Sequence, residues 1–176
     1  SFKKQEADIL IGTQMIAKGL HLPKVNLVGV ILADIGLNMP DFRAAERNFQ
    51  LMTQVAGRAG RSNKTGTVII QSYNPEHLAL NCTKKQSYEE FFNYERTQRQ
   101  ILNNPPFSKL AKITVENPSF KDASYISEQI DRKLWQIARE NNFADHLEVN
   151  NYPAYIPRIR GKYRIIILIK LKEQKE

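Results

Sequence analysis

Eight consecutive residues, Gln54-Val55-Ala56-Gly57-Arg58-Ala59-Gly60-Arg61, hold the densest set of groups able to do chemistry in this chain. Two arginines stand three apart, each behind a glycine, with Gln54 three ahead of Gly57. Positions i and i+3 share one face of a helix, so Arg58 and Arg61 can address one target. A guanidinium is permanently charged and forks onto two phosphate oxygens. Gly57 and Gly60 each cost about 1 kcal/mol of helix propensity against alanine, a loss that suits a helix which a polyanion must approach closely. A basic helix end in solvent is the bland alternative, and arginine pairs alone are common. The doubled Gly-Arg behind a glutamine is much rarer, which favours phosphate chemistry.

The elements that must carry these residues can be read around them. Residues 8–12 form an apolar run that ends in Gly12-Thr13, and a short helix over 15–19 closes near Lys18-Gly19. Strand, small hydroxyl residue and helix start together offer backbone N–H groups to phosphate. The pattern is common among α/β proteins. Residues 25–33 are apolar apart from Asn26, as in a buried parallel strand, and lead into Asp34 at the carboxyl edge where such sheets place functional groups. A helix is predicted over 41–59, a polar turn over 62–66 and a third strand over 66–71. Strands alternating with helices imply a parallel sheet.

Downstream, helices are predicted over 76–82, behind Pro75, and over 88–102, with Phe91, Phe92 and Ile101 assigned to packing. Asn103-Asn104-Pro105-Pro106 stops the helix and marks a boundary. The remainder reads as a strand over 110–116, a helix over 123–141 capped by Asp122 or Ser119, a short strand over 147–150 and a long one over 163–172. In the helix, Tyr125, Ile126, Ile130, Leu134, Ile137 and Ala138 make the expected core stripe, with Trp135 beside it. The fold class is therefore α/β followed by α+β, divided as 1–80, a helical connector 81–104, and 105–176.

A second candidate site is basic. Arg158, Arg160, Lys162 and Arg164 lie within seven residues, interleaved with Tyr152, Tyr155 and Tyr163, and share one face if the segment is extended. Cations with aromatics suit a nucleic-acid backbone and its bases. An acidic peptide suits them equally, and a charged hairpin edge that blocks aggregation is the plain alternative.

Composition sets limits. The chain has 176 residues, a net charge of +8 and a pI near 9.6, which suits a polyanionic partner and one or two domains. No apolar stretch approaches the ~20 residues of a membrane helix, and residues 1–6 are no signal peptide, so no membrane is expected and a cytoplasmic setting is. One cysteine, Cys82, excludes a disulfide within the chain, and His21, His77 and His146 show no metal spacing. No metal site is expected.

Gln54 to Arg61 resembles Gln-x-x-Gly-Arg-x-Gly-Arg, motif VI of superfamily 2 helicases. The resemblance implies that Arg61 is an arginine finger, with Arg58 and Gln54 supporting it and Gly57 and Gly60 beside the nucleotide. Residues 8–19 resemble motif V, which implies that Thr13 and Gln14 contact a DNA backbone and that Lys18 and Gly19 border the nucleotide. Pro40-Asp41-Phe42-Arg43-Ala44-Ala45-Glu46-Arg47 ahead of motif VI is similar to the PriA family of replication-restart helicases. So are Asn74-Pro75-Glu76-His77, Pro105-Pro106-Phe107, Pro153-Ala154, and Pro157 through Arg164. Asn150-Asn151 departs from the family's frequent Gly-Pro.

That resemblance implies the C-terminal half of a RecA-like lobe followed by a small α+β domain likened to a ribosomal protein. It implies an ATP-dependent 3′–5′ DNA helicase of primosome assembly and fork restart. ATP and Mg2+ would be held by a first lobe, because this chain has neither a Gly-x-x-x-x-Gly-Lys-Ser/Thr loop nor Asp-Glu-x-His. Zinc belongs to the family's full-length proteins and has no site here. The implied partners are forked or single-stranded DNA, the acidic tail of single-stranded DNA-binding protein, and other primosome proteins. The chain is expected to be a C-terminal piece, inactive alone. A RecG-like or RNA-directed translocase stays open, as does a stand-alone DNA- or peptide-binding module with a vestigial nucleotide face.

Overall fold

A computed structural model describes residues 6–17, 25–57 and 66–172. The chain divides into two compact units, Ser1–Arg96 and Thr97–Glu176.

In the first unit a short helix α1 (Gln14–Ala17) precedes strand β1 (Leu27–Val30). Helices α2 (Asp34–Leu37) and α3 (Ala44–Ala56) then lead to strand β2 (Thr67–Ile70), which pairs parallel with β1 from Leu27↔Thr67 to Val30↔Ile70. Helix α4 (Leu78–Lys85) follows, and α5 (Tyr88–Ile101) runs across the division between units. Helix α3 buries Ala44, Asn48, Phe49, Met52 and Val55, one face of a helix by their spacing. Phe49 packs with Ala79, Cys82 and Phe91, its ring stacked on Phe91 at 4.3 Å between centroids and 8° between planes. Met52 packs with Ala33 and Leu80 against Val30 and Ile70.

The expected strand over 8–12 is absent. Ile9 and Ile11 are 77% and 88% exposed, and the described sheet of this unit contains only β1 and β2. A strand forms only where a neighbour takes its N–H and C=O groups, and none of the described residues supplies one. For the same reason 25–33 is not a strand buried on both faces. Val30 and Ile70 pack on the helices, while Leu27, Ile31 and Ile69 face outward. The helix predicted from residue 41 begins at Ala44, because Asp41 Oδ1 accepts the Arg43 N–H at 3.0 Å and turns the chain first. Helix α4 begins at Leu78 rather than 76, capped by His77, whose Nδ1 accepts the Ala79 N–H at 3.2 Å. Phe91 is buried as expected, but Phe92 and Ile101 are exposed.

In the second unit the peptide between Pro105 and Pro106 is cis. Strand β3 (Ser108–Asn117), helix α6 (Phe120–Glu140), a 3-10 turn (Ala144–His146), and strands β4 (Leu147–Ile159) and β5 (Lys162–Lys172) follow. They form an antiparallel sheet of order β3-β5-β4, with α6 packed on one face. Of the two candidate caps, Ser119 is the one used; its Oγ accepts the Asp122 N–H at 3.3 Å. Helix α6 sets Ala123, Ile130 and Leu134 against Val115, Ile165 and Ile167, and buries Ser127 and Ala138. Tyr125, Ile126 and Ile137, expected in the stripe, are exposed. Small side chains let the helix backbone approach the sheet, so the seam is centred on Ala123, Ser127 and Ala138 rather than on the bulkiest residues.

Strand β4 is far longer than the 147–150 expected, and it joins β5 by a two-residue hairpin. Arg160 and Gly161 occupy the two central positions at φ 50° and 80°. Positive φ at both is the turn geometry that matches strand twist. The register shifts between Pro153 and Arg158, where residues 154–157 oppose only Arg164. Pro153 and Pro157 lack the N–H groups that a regular ladder needs there.

Candidate functional site

Helix α3 has two faces with different work. Away from its buried side stand Arg47, Gln50 and Gln54, at i, i+3 and i+7, with Leu51 at the border, partly buried against the core. Helix α1 packs against α3 and contributes Gln14. Together these five residues line a groove of about 620 Å³. The structure thus brings together Gln14 and Gln54, which the sequence placed in separate motifs. Thr13 is adjacent in the chain, and its Oγ1 accepts the Met15 N–H at 3.5 Å, at the start of α1. Arg47 was missed as a site residue. The available signal was its place seven residues before Gln54, on the same helical face.

Gly57 ends α3 as its C-cap and is exposed, its N–H donating to Thr53 O at 3.0 Å. Among the described residues, a Cβ there would meet nothing nearer than Thr53 O at 3.6 Å, so packing does not demand this glycine. Arg58, Gly60 and Arg61 lie outside the described residues, as do Lys18 and Gly19, and with them the expectation that Arg58 and Arg61 share a helical face.

Two carboxylates fix this region. Asp41 receives the Arg43 fork, Nε to Oδ1 and Nη2 to Oδ2, both at 3.1 Å. It also receives Arg47 Nη1 at 2.9 Å on Oδ2. The hydrogen-bonded Arg43 guanidinium holds the Asp41 carboxyl below its ordinary range. Asp34 follows β1, at the edge anticipated for it, but its partners are structural. Its carboxylate accepts from Ser72 Oγ at 2.7 Å, Tyr73 N–H at 3.0 Å and Asn74 N–H at 3.3 Å, tying the end of β1 to the segment after β2. The Ser72 hydroxyl, then the Tyr73 amide, lower its pKa. Buried Asn48 donates from Nδ2 to Ala33 O at 2.8 Å, and a Cβ on Gly36 would fall 2.8 Å from that nitrogen. Glycine at 36 is what lets α2 lie against α3.

The basic segment of the second unit does not present four cations on one face. It folds back at Arg160-Gly161. Arg158 lies opposite Tyr163, with its guanidinium 5.0 Å from the ring centroid, and Tyr163 meets Phe120 edge-on at 5.7 Å. Tyr163 alternates with Ile165 and Ile167, which pack on α6, so Arg158 and Tyr163 belong to that side of the sheet. Lys162 and Arg164 belong to the other side, and Arg164 Nε donates to Glu116 Oε1 at 3.1 Å. Arg160 stands at the turn. Tyr155 and Ile156, on the irregular stretch of β4, are exposed.

Among the described residues no group of three or more His, Cys, Asp or Glu is placed to hold a metal ion, and no helix is long and apolar enough to cross a membrane. Cys82 is buried, and burial pushes its thiol pKa up.

Residues 1–63 match the helicase conserved C-terminal domain. Over 174 residues, 99% of its length, the chain is 44% identical to the replication restart protein PriA of Bacillus subtilis, and covers 21% of that protein. It is 40% identical to the Synechocystis PriA over 96% of the chain and 20% of the relative. It is 41% identical to the Treponema pallidum PriA over 96% of the chain and 25% of the relative. The chain thus spans between a fifth and a quarter of the length of these curated relatives. Matched at this level along nearly its whole length, it belongs to the PriA family of replication restart proteins.

Proposed function

We propose that this chain forms the motif V and motif VI end of the second RecA-like lobe, and the small C-terminal domain, of an ATP-dependent 3′–5′ DNA helicase that restarts stalled replication forks in the cytoplasm. The single observation that carries the reading is the 44% identity to the Bacillus subtilis replication restart protein over 99% of the chain. The proposed division is residues 1–80 for the lobe, 81–104 for a connector and 105–176 for the small domain. In this reading ATP and Mg2+ are bound by another lobe, which this chain closes over. Arg61 places its guanidinium on the charge developing at the transferred phosphoryl group, and Arg58 and Gln54 support it. Gly57, Gly60, Lys18 and Gly19 border the nucleotide. Thr13 and Gln14 touch the DNA strand. Of the hairpin cations, Arg158, Arg160 and Lys162 meet single-stranded or forked DNA, or the acidic tail of single-stranded DNA-binding protein, before other primosome proteins join, while Arg164 stays with Glu116.

The test is a chimera in which this chain replaces the matching segment of the Bacillus subtilis relative. The folded chimera should unwind a forked duplex with ATP. Arg61→Ala should cut ATP turnover by about 10³–10⁵ while leaving DNA binding in place. Near-normal ATPase in that variant ends the finger assignment. A folded, DNA-binding chimera without unwinding ends the helicase reading.

A further inference from the structure

We infer that Arg47 is a phosphate contact for a single-stranded nucleic acid lying in the groove between α1 and α3. This deepens the proposed function, since it rests on the reading in which Gln14 touches the strand.

Among its described lining residues the groove has one cation, Arg47, three amides, Gln14, Gln50 and Gln54, and one apolar residue, Leu51. Gln54, nearest the Gly57 end of α3, is the one the proposed function gives to the nucleotide, so the strand takes Gln14, Arg47 and Gln50. None of these described lining residues is a carboxylate. The nearby Glu46 carboxylate accepts from Gln50 Nε2 at 3.1 Å. A guanidinium has five N–H donors. The Arg47–Asp41 bond engages one nitrogen, Nη1, and leaves the side chain 57% exposed. Asp41 is held in turn by the Arg43 fork, so the carboxylate that orients Arg47 is itself fixed. Arg47 therefore reaches the groove already oriented, with donors to spare.

The ligand follows from this chemistry. A phosphodiester carries one charge and flanking sugar oxygens, and such contacts come mostly from Arg, Lys and amide side chains. One cation with amide donors, and a leucine against the sugar, matches that demand. Among the described lining residues there is a single cation, which matches one phosphodiester.

The test uses the whole 176-residue chain and a fluorescent oligothymidine, with affinity followed against salt. Each single-strand phosphate contact adds about 0.7 to the slope of log affinity against log salt. Arg47→Gln should flatten the slope by about that amount and weaken binding several-fold at low salt. Lys84→Gln is the control. It removes the same charge from an exposed position on α4, and Lys84 neither lines the groove nor touches Asp41, so its slope should match the parent. Equal flattening in both variants would assign the effect to net charge and overturn the inference. An unchanged slope in Arg47→Gln overturns it while leaving the strand reading of Gln14 intact. A parent chain that binds no oligothymidine overturns both. Should Arg47→Gln fail to fold, Gln14→Glu puts a carboxylate across the groove without touching Asp41, and undiminished binding by that variant is equally fatal.

Discussion

Removing Arg160 and Lys162 together should flatten the salt dependence of single-strand binding by this chain, and removing Arg164 should not. The magnitude follows from what each cation touches. Arg160 stands at the hairpin turn and Lys162 opens β5; both are exposed. Arg164 gives its Nε to Glu116 at 3.1 Å and keeps only 25% of its side chain exposed, so a phosphate would have to displace a carboxylate to reach it. Arg158 is intermediate. Its guanidinium lies over the Tyr163 ring and its Nε donates to Gly161 O at 3.4 Å, leaving other donors outward. At about 0.7 of slope per single-strand phosphate, the Arg160→Ala, Lys162→Ala pair should lower the slope by about 1.4, and Arg158→Ala by about 0.7 more. Arg164→Ala should change it by roughly zero, since its charge is already neutralised. Fluorescence anisotropy with an oligothymidine between about 50 and 200 mM salt resolves these differences. If Arg164→Ala flattens the slope as much as the double variant, the Glu116 pair does not hold in solution and the partner-by-partner reasoning is wrong.

Phe91→Ala should destabilise the first unit by about 3–5 kcal/mol in urea unfolding, because a buried ring stacked on Phe49 leaves a cavity that α3 and α4 cannot fill; a loss below about 1 kcal/mol would refute that packing. Gly161→Ala should cost about 1–2 kcal/mol in the second unit through its φ of 80°, read as a lower melting temperature. Asp34 is depressed from an ordinary 3.8 by the Ser72 hydroxyl and the Tyr73 amide, so its contribution to stability is full above that value and fades as pH falls through the lower folded value. Asp34→Asn should therefore weaken the fold at neutral pH and reduce the steepness of its acid denaturation; an unchanged acid limb would show that the carboxylate is not held as described. Ser119→Ala should cost about 1 kcal/mol by uncapping α6, measured by thermal unfolding.

The elements legible in the sequence were those whose stability is local. Helix α6 is long, capped and amphipathic, and it stands where its pattern put it, within three residues at the start. Its buried seam was displaced because apolar character marks candidates for the core, while close approach selects small residues such as Ala123 and Ala138. Elements that depend on a partner were less legible. Residues 8–12 have the composition of a strand, but no neighbour in the described structure pairs with them. The hairpin at Arg160-Gly161 stood only as the plain alternative, because a non-glycine residue takes the first left-handed position and the dipeptide lacks the usual Asn-Gly signature. Four cations in a row share one face only if the segment runs on extended, and the turn breaks that condition.

The groove was hidden for a related reason. Gln14 and Gln54 are forty residues apart, and only the packing of α1 on α3 makes them neighbours. Yet Arg47, which lines the same groove, was readable by periodicity once α3 was given a buried side. If Phe49, Met52 and Val55 face the core, then Arg47, Gln50 and Gln54 must face away together. Core packing thereby sets the orientation of the polar stripe, and Asp41 sets the orientation of its one cation. A substitution that loosened the Phe49–Phe91 stack would reach the groove through that shared helix, whereas a change in Arg47 acts at the groove itself. The two routes differ in what they move. Core loosening should lower stability and strand affinity together, while the loss of Arg47 should lower affinity and salt slope with stability nearly unchanged.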